Sequence, residues 1–255
     1  VSNTAIVSLA TSVTKPTITA KNCKALNSIY ISSWCYGLDV EGCTALKTIT
    51  ITKSLNDRLN VKGCTALEIV SIANNSYPGC IGVDGDLDFT DCINLKTLII
   101  GYKNYAILDK KVTFLDLSKC SKLEKLNCTY NYLAGLKLAS NLAGNPDLEF
   151  ETQKERSVSV LNSKVEDFVC YYDFNAIIPG YTNGIIASSI RAYDNLDNQI
   201  PYNYDESTGQ LYLAFKPKRI YYEYNVGYGN KVLPVNLQVS GTENLRKPSI
   251  STSSL

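Results

Sequence analysis

The segment LDLSKCSKLEKLNCTYNYLAGL, residues 115–136, carries a pattern that recurs along the first half of the chain. Its centre is the frame C-x-x-L-x-x-L-x-C from Cys120 to Cys128, and an apolar pair, Leu115 and Leu117, lies five and three residues before Cys120. Five segments share the frame, with small variations among apolar residues: CKALNSIYI (23–31), CTALKTITI (43–51), CTALEIVSI (64–72), CINLKTLII (92–100) and CSKLEKLNC (120–128). Such self-similarity predicts a stack of equivalent structural units.

The leading cysteines of these segments lie 20, 21, 28 and 28 residues apart, and a degenerate sixth copy places Asn141 21 residues after the fifth. The last full copy also fits L-x-x-L-x-L-x-x-N-x-L-x-x-L, from Leu123 through Asn131 to Leu136. The chain therefore resembles the leucine-rich-repeat family over residues 18–148, and its repeats are similar to the short ones of surface or secreted proteins of gut bacteria such as Bacteroides. The resemblance implies a parallel-sheet solenoid of about five to six coils.

The second half of the chain has a different sequence pattern. Short runs of valine, tyrosine, isoleucine and phenylalanine are separated by PG, TNG, DNLDN, ESTG and GYGN, which favour antiparallel hairpins. We predict six or seven strands in an immunoglobulin-like β-sandwich, in which Leu211, Leu213 and Phe215 share one face of a strand. In the next strand Ile220, Tyr222, Tyr224 and Val226 share a face. The predicted organisation of this mainly β chain is an N-terminal segment or cap (1–17), the solenoid (18–148), a cap or linker (149–156), the sandwich (157–241) and a tail or linker (242–255).

Alternation along the repeat strands predicts an exposed face. If Leu46, Ile49 and Ile51 point inward, Thr48 and Thr50 must point outward. We assign this series of strands to the concave face, although the second strand-like series, as in LDVEGC, also fits that position. The candidate ligand-binding residues of the face are Tyr30, Thr48, Thr50, Ser71, Thr97, Lys125, Asn127 and Thr129.

Two insertions lengthen neighbouring coils. NNSYPGCIGVDGD (74–86) and GYKNYAILDKK (101–111) are expected to project from one flank, with Tyr77, Tyr102 and Tyr105 as candidate binding anchors. Surface elaboration without a binding role fits the same segments equally well.

Five cysteines recur at one position of the repeat. Because equivalent positions of successive coils lie about 4.8 Å apart, we predict a structural ladder of buried thiols, formed by Cys23, Cys43, Cys64, Cys92 and Cys120. Cys35 and Cys80 lie outside the frame, and the sequence leaves open whether they pair in a disulfide.

Several classes of function are disfavoured by composition. The chain has 25 lysines and arginines against 24 acidic residues, so we expect no nucleic-acid partner. It contains no histidine, which excludes triads and metal sites that use imidazole. Asp84, Asp86 and Asp88 imitate the start of a calcium loop, but Phe89 stands where the loop needs glycine. We therefore expect no cofactor, no metal and no enzymatic activity. No apolar run is long enough to span a membrane.

The sequence thus predicts an extracellular or outer-surface bacterial protein, exported with a signal or lipid anchor that no longer precedes Val1. It would bind an extracellular protein through the repeat face, in adhesion or recognition. The alternative is a glycan-binding accessory protein of a polysaccharide-capture system, in which exposed tyrosines line up as stacking platforms. Eleven of the 18 tyrosines fall in the second half, where half-buried strands also favour tyrosine.

Overall fold

The computed structural model describes residues 4–7, 17–32, 34–52, 54–55, 58–72, 87–101, 112–144, 146–165 and 168–240. Parallel strands dominate the first half of these residues. Their bounds are β1 Thr4–Val7, β2 Thr17–Thr19, β3 Ser28–Ile31, β4 Trp34–Cys35, β5 Gly37–Asp39, β6 Thr48–Ile51, β7 Ser54–Leu55, β8 Leu59–Asn60, β9 Ile69–Ile72, β10 Leu87–Asp88, β11 Thr97–Ile99, β12 Phe114–Leu117, β13 Lys125–Asn127, β14 Gly135–Leu138 and β15 Asp147–Glu149.

One seven-stranded parallel sheet, the major sheet, runs in the order β1-β3-β6-β9-β11-β13-β15. Two three-stranded parallel sheets, the minor sheets, run β2-β5-β8 and β10-β12-β14, and each of their strands contains the apolar residue that lies five positions before a leading cysteine or Asn141. A short parallel pair joins β4 and β7. Strands that pair with the equivalent strand of the next coil, on two sides of each coil, fit the predicted leucine-rich-repeat solenoid.

The apolar columns of the repeat form the solenoid core. Ile49, Val70 and Leu98 are fully buried at equivalent positions of neighbouring strands of the major sheet. Leu115 and Leu136 pair in register in a minor sheet and are fully buried as well. A single coil cannot bury these side chains alone, so their burial depends on the stack.

The second half forms a C-terminal module, residues 156–240, built of eight described strands where six or seven were expected. Their bounds are β16 Arg156–Val158, β17 Leu161–Val165, β18 Phe168–Asp173, β19 Arg191–Tyr193, β20 Tyr202–Asp205, β21 Gln210–Leu213, β22 Arg219–Asn225 and β23 Val232–Val239. They form two four-stranded sheets, β16-β23-β22-β19 (the β22 sheet) and β17-β18-β21-β20 (the β21 sheet). All their pairs are antiparallel except β16 with β23. The immunoglobulin-like assignment stays a prediction.

Aromatic side chains fill the interior of the C-terminal module. Phe174 makes edge contacts with Tyr172, Tyr204 and Tyr222, at ring-centroid distances of 5.2, 5.7 and 5.1 Å. The predicted inward face of β22 is confirmed, because Ile220, Tyr222, Tyr224 and Val226 are all fully buried.

The prediction for β21 was wrong at Phe215, which is 64% exposed. Leu211 and Leu213 are fully buried, but the strand ends at Leu213 and the chain bends at Ala214 and Phe215. The bend comes just before Pro217, which has no backbone N–H to continue a ladder.

The helices of the described residues are three 3-10 turns, Phe174–Ala176, Thr182–Gly184 and Ala187–Ser189. Each is far shorter than a membrane-spanning helix.

Candidate functional site

The outward side of the major sheet, here called the front face, carries the candidate residues Tyr30, Thr48, Thr50, Ser71, Thr97, Lys125 and Asn127. Strand register arranges its side chains in two rows. The first row is Ser28, Thr48, Ile69, Thr97, Lys125 and Asp147, and the second is Tyr30, Thr50, Ser71, Ile99, Asn127 and Glu149. Every inward neighbour on β3, β6, β9, β11 and β13 is buried, so the predicted outward orientation is confirmed. A role in binding stays a prediction.

The front face changes character along the stack. From β3 to β11 it presents hydroxyl and apolar side chains without a charge, and the most exposed large ones are Tyr30 (43%) and Ile69 (38%). On β13 and β15 the face becomes charged. Lys125 Nζ lies 2.9 Å from Asp147 Oδ2, and the Asn127 side-chain amide donates to the Glu149 carboxylate. The hydrogen bond from Lys125 to Asp147 raises the pKa of the lysine.

Thr129 follows β13 and is hydrogen-bonded to Asn127 at the charged end of the front face. Its hydroxyl donates to Asn127 Oδ1 over 3.0 Å, and its backbone N–H donates to the same oxygen. The Asn127 amide therefore bridges Thr129 and Glu149, which fixes its orientation on the face.

A row of alternating charges borders the front face. Lys47, Glu68, Lys96 and Glu124 stand directly before β6, β9, β11 and β13. Lys96 Nζ lies 2.9 Å from Glu68 Oε2, and this contact lowers the pKa of the glutamate and raises that of the lysine. Beside this border lies an open cavity of about 440 Å³, lined by Lys96, Ser121, Lys122, Glu124, Ala143, Gly144 and Pro146.

Sequence reasoning missed Asp147 and Glu149, which extend the front face by one strand. The predicted linker began at residue 149, yet Glu149 belongs to β15 and Phe150 is fully buried. Alternation was the available signal, because Leu148 and Phe150 are apolar while their neighbours are acidic. The Gln153 side-chain amide then donates to Cys128 O and Phe150 O, which ties the predicted linker to the last coil.

The cysteine column lies inside the solenoid. Cys43, Cys64, Cys92 and Cys120 are fully buried, and each thiol faces a backbone carbonyl of the preceding coil. Sγ lies 2.8 Å from Ala20 O, 3.2 Å from Val40 O, 3.9 Å from Val61 O and 3.7 Å from Phe89 O, respectively. Burial raises the pKa of Cys64 to about 11 and that of Cys120 to about 12, so the thiols stay protonated at neutral pH.

The prediction of a buried thiol was wrong for Cys23, which is exposed. Cys23 belongs to the first copy of the frame. At the other end Asn141, the sixth member of the column, is exposed too.

The C-terminal module packs on the side of the solenoid that carries the minor sheets. The Tyr181 ring stacks on Phe114 of β12 at 4.2 Å, and Lys137 Nζ of β14 lies 4.4 Å from the centre of the same ring. Tyr222 OH donates to Ala134 O over 2.7 Å, and Leu138 N–H donates to Val226 O over 2.7 Å. The module thus continues the β10-β12-β14 edge, away from the front face.

One carboxylate is held within this contact between the two parts of the chain. Tyr181 OH donates to Asp116 Oδ2 over 3.1 Å. Burial opposes ionisation of Asp116, but hydrogen bonds from Ser118 and Tyr181 outweigh it and hold the pKa of the carboxyl below its usual range.

Tyr77, Tyr102, Tyr105 and Cys80 lie outside the described residues. Their proposed roles, including a Cys35–Cys80 disulfide, stay predictions. Within the described ranges, no three His, Cys, Asp or Glu side chains come together as a set of metal ligands.

Comparison with known proteins gave one structural similarity. Neither a scan against protein-family models nor a search of curated proteins found a match. Among solved structures the chain is similar to InlP of Listeria monocytogenes, with 14% identity and a TM-score of 0.34, over 92% of this chain and 70% of that one. Because the identity and the TM-score are this low, the assignment of the architecture rests on the strand pairing described above and not on this similarity.

Proposed function

We propose that the protein is a non-catalytic binding protein of the bacterial surface or exterior, and that its front face recognises another protein. One observation carries the proposal: six strands from β3 to β15 present a continuous face, while the contacts of the C-terminal module are made with the minor sheet of β12 and β14. The module supports the solenoid and serves as a spacer or second contact.

The chemistry of the face suits a protein partner. Tyr30 is an exposed aromatic side chain on a rigid strand, the type of residue that anchors protein interfaces. The hydroxyl side chains around it carry no charge, so covering them costs less than covering ions. Lys125, Asp147 and Glu149 at the other end supply charges that orient a partner.

A matched pair of tyrosines tests the assignment. Tyr30 and Tyr36 are both 43% exposed and lie in the same part of the stack, but only Tyr30 belongs to the front face. The purified chain is screened against extracellular-matrix and cell-surface proteins, and the affinity for a partner so found is measured for Tyr30→Ala and Tyr36→Ala. We expect Tyr30→Ala to weaken binding about tenfold, as for loss of an interface anchor, and Tyr36→Ala to leave it unchanged. Equal effects of the two changes would place recognition elsewhere.

A second candidate function, glycan binding, is favoured by aromatic side chains of the β21 sheet. Tyr171 and Tyr212 are paired across β18 and β21 with ring centroids 6.1 Å apart, and Phe168 lies 6.4 Å from Tyr212. Leu161, opposite Tyr171 on β17, is 53% exposed. Neighbouring half-exposed rings on one side of a sheet offer apolar surface for stacking on sugars.

A glycan array distinguishes the two candidates. Saturable glycan binding that Tyr212→Ala abolishes and Tyr30→Ala preserves would replace protein recognition by the accessory role. Hydrolysis of a bound glycan by the wild-type chain would contradict the non-catalytic proposal.

A further inference from the structure

The first rung of the cysteine column differs from the rungs that follow. Cys23 is exposed, whereas Cys43, Cys64 and Cys92 have fully buried side chains. The column therefore contains one adjacent pair in which a thiol open to solvent stands beside a buried one.

The first two coils are aligned residue for residue around this pair. Asn22 N–H donates to Glu41 O over 2.7 Å, and Lys47 N–H donates to Asn27 O over 2.8 Å, so hydrogen bonds between the coils flank the cysteines on both sides. Neighbouring chains in such a ladder lie about 4.8 Å apart. That separation falls within the Cα–Cα range of disulfides, about 4.4–6.8 Å.

The two sulfur atoms lie against consecutive carbonyls of the same turn. Cys43 Sγ is 2.8 Å from Ala20 O, and Cys23 Sγ is 3.6 Å from Lys21 O. Burial and, to a lesser extent, the neighbouring Cys23 side chain raise the pKa of the Cys43 thiol. Lys21 reinforces the alignment, because its Nζ lies 3.0 Å from Asp39 Oδ2 and 2.9 Å from Glu41 Oε2 of the second coil.

We propose that Cys23 and Cys43 form a reversible disulfide when the folded protein meets a small-molecule disulfide such as oxidised glutathione. The Cys23 thiolate attacks one sulfur of the reagent, whose S–S bond breaks, and one glutathione thiol leaves. Cys43 then attacks Cys23 Sγ, the mixed disulfide breaks, and the second glutathione thiol leaves. Two cysteine S–H bonds are lost, one S–S bond forms, and the two electrons reduce the reagent.

The disulfide would tie the coil that contains β3 to the coil that contains β6. Access limits the reaction to this rung, because the reagent must reach the first sulfur and only Cys23 among the column cysteines is exposed. The second step needs the Cys43 thiolate, and burial raises the pKa of that thiol. We therefore expect closure to become faster as the pH rises toward the alkaline range.

The experiment uses the full folded chain with oxidised glutathione, without denaturant, followed by alkylation of the remaining thiols and peptide mapping. The wild-type chain is expected to lose the thiols of Cys23 and Cys43 and to yield one Cys23–Cys43 cross-linked peptide, which a reducing agent reverses. In the Cys43→Ser variant the reaction should stop at a glutathione adduct on Cys23, because the thiol that would displace the glutathione is missing. Cys23→Ser should form neither the adduct nor the cross-link, and Cys64→Ser should behave like the wild type.

Three outcomes would overturn the proposal: a lasting glutathione adduct on wild-type Cys23, a cross-link from Cys23 to another cysteine such as Cys80, or no reaction at all. Circular dichroism of each variant verifies the fold, so that loss of reaction is not confused with unfolding. The readout does not involve binding, so it is independent of the proposed function.

Discussion

Each buried cysteine of the column packs as a small apolar side chain and also directs its thiol at a backbone carbonyl. Cys64 is fully buried and packs as an apolar group, while its thiol points at Val40 O of the preceding coil over 3.2 Å. Cys92 repeats the arrangement, but its sulfur lies 3.9 Å from Val61 O. The same residue type therefore makes a closer contact with a carbonyl at one rung than at the next.

This difference in distance predicts that substitution by serine destabilises the fold more at Cys92 than at Cys64. A hydroxyl reaches less far than a thiol, so Cys64→Ser retains a weak bond to Val40 O while Cys92→Ser buries a hydroxyl without a partner. We expect Cys92→Ser to lower the free energy of unfolding by about 1–3 kcal/mol, and Cys64→Ser to lower it less. Urea unfolding of the two variants under reducing conditions measures the difference, and equal losses would show that the carbonyl contacts contribute nothing.

At the scale of the element, the residue directly before the leading cysteine has a positive φ angle in the first three copies of the frame. Asn22, Gly42 and Gly63 hold φ angles of 56°, 75° and 73° at equivalent positions. A Cβ on Gly42 would lie 2.2 Å from Asn22 Oδ1, so glycine is required there both for the left-handed conformation and for the approach of the neighbouring coil.

The minor sheets offer a test of the contact with the C-terminal module. Gly135 opens β14, and a Cβ there would lie 2.9 Å from the Phe114 ring and 3.1 Å from Tyr224 Cε2. Gly37 opens β5, where a Cβ would meet its nearest neighbour, Thr17 Cγ2, at 3.4 Å. We expect Gly135→Ala to lower the free energy of unfolding by about 1–3 kcal/mol through overpacking, and the matched Gly37→Ala to change it far less. Thermal unfolding of both variants checks this; a larger loss for Gly37→Ala would contradict the described contact.

Alternation within the elements accounts for most of what could be predicted about the front face. Thr48, Thr50 and Ile69 point outward because their strand neighbours fill the core, and a period of two is readable without any knowledge of the partner strands. Their order into rows follows from register, which the repeat interval also implies. The extension to Asp147 and Glu149 was missed because the last strand lacks the leading cysteine of the frame.

For the whole molecule, the described apolar core passes from the solenoid into the C-terminal module. Tyr222 and Tyr224 are fully buried, and Tyr224 reaches the glycine that opens β14. Tyr181, Phe114 and Lys137 add a stacked ring pair and a cation above it. The two parts are therefore joined by packing as well as by the chain between them.

The ionisable groups predict a plateau of stability around neutral pH. With no histidine, no imidazole titrates between pH 5 and 8. The carboxyls of Asp116, Asp194 and Asp205 have lowered pKa values, so the unfolded chain binds protons first, and the stability they contribute is lost as the pH falls below about 4.

The alkaline limit begins with the buried thiols, because buried tyrosines such as Tyr224, whose pKa is also raised, lose their protons in the unfolded chain only at higher pH. The pKa values of the thiols are raised in the folded chain, so the unfolded chain releases protons first and stability falls as the pH rises above about 9. Unfolding midpoints measured from pH 2 to 11 under reducing conditions test both limits. A step centred between pH 6 and 7 would contradict this account.

By itself, the sequence determined the repeat architecture, the inward columns and the outward candidates such as Tyr30 and Thr50. Each of these follows from a local period that every coil repeats, so neighbouring copies reinforce the same inference. Only the tertiary structure decided that Cys23 is exposed, that Phe215 leaves its strand, and that the C-terminal module packs beside β14 through Tyr181 and Tyr222. Those features depend on which distant segments meet, and the free energy of burying one surface against another is not encoded in the period of either segment.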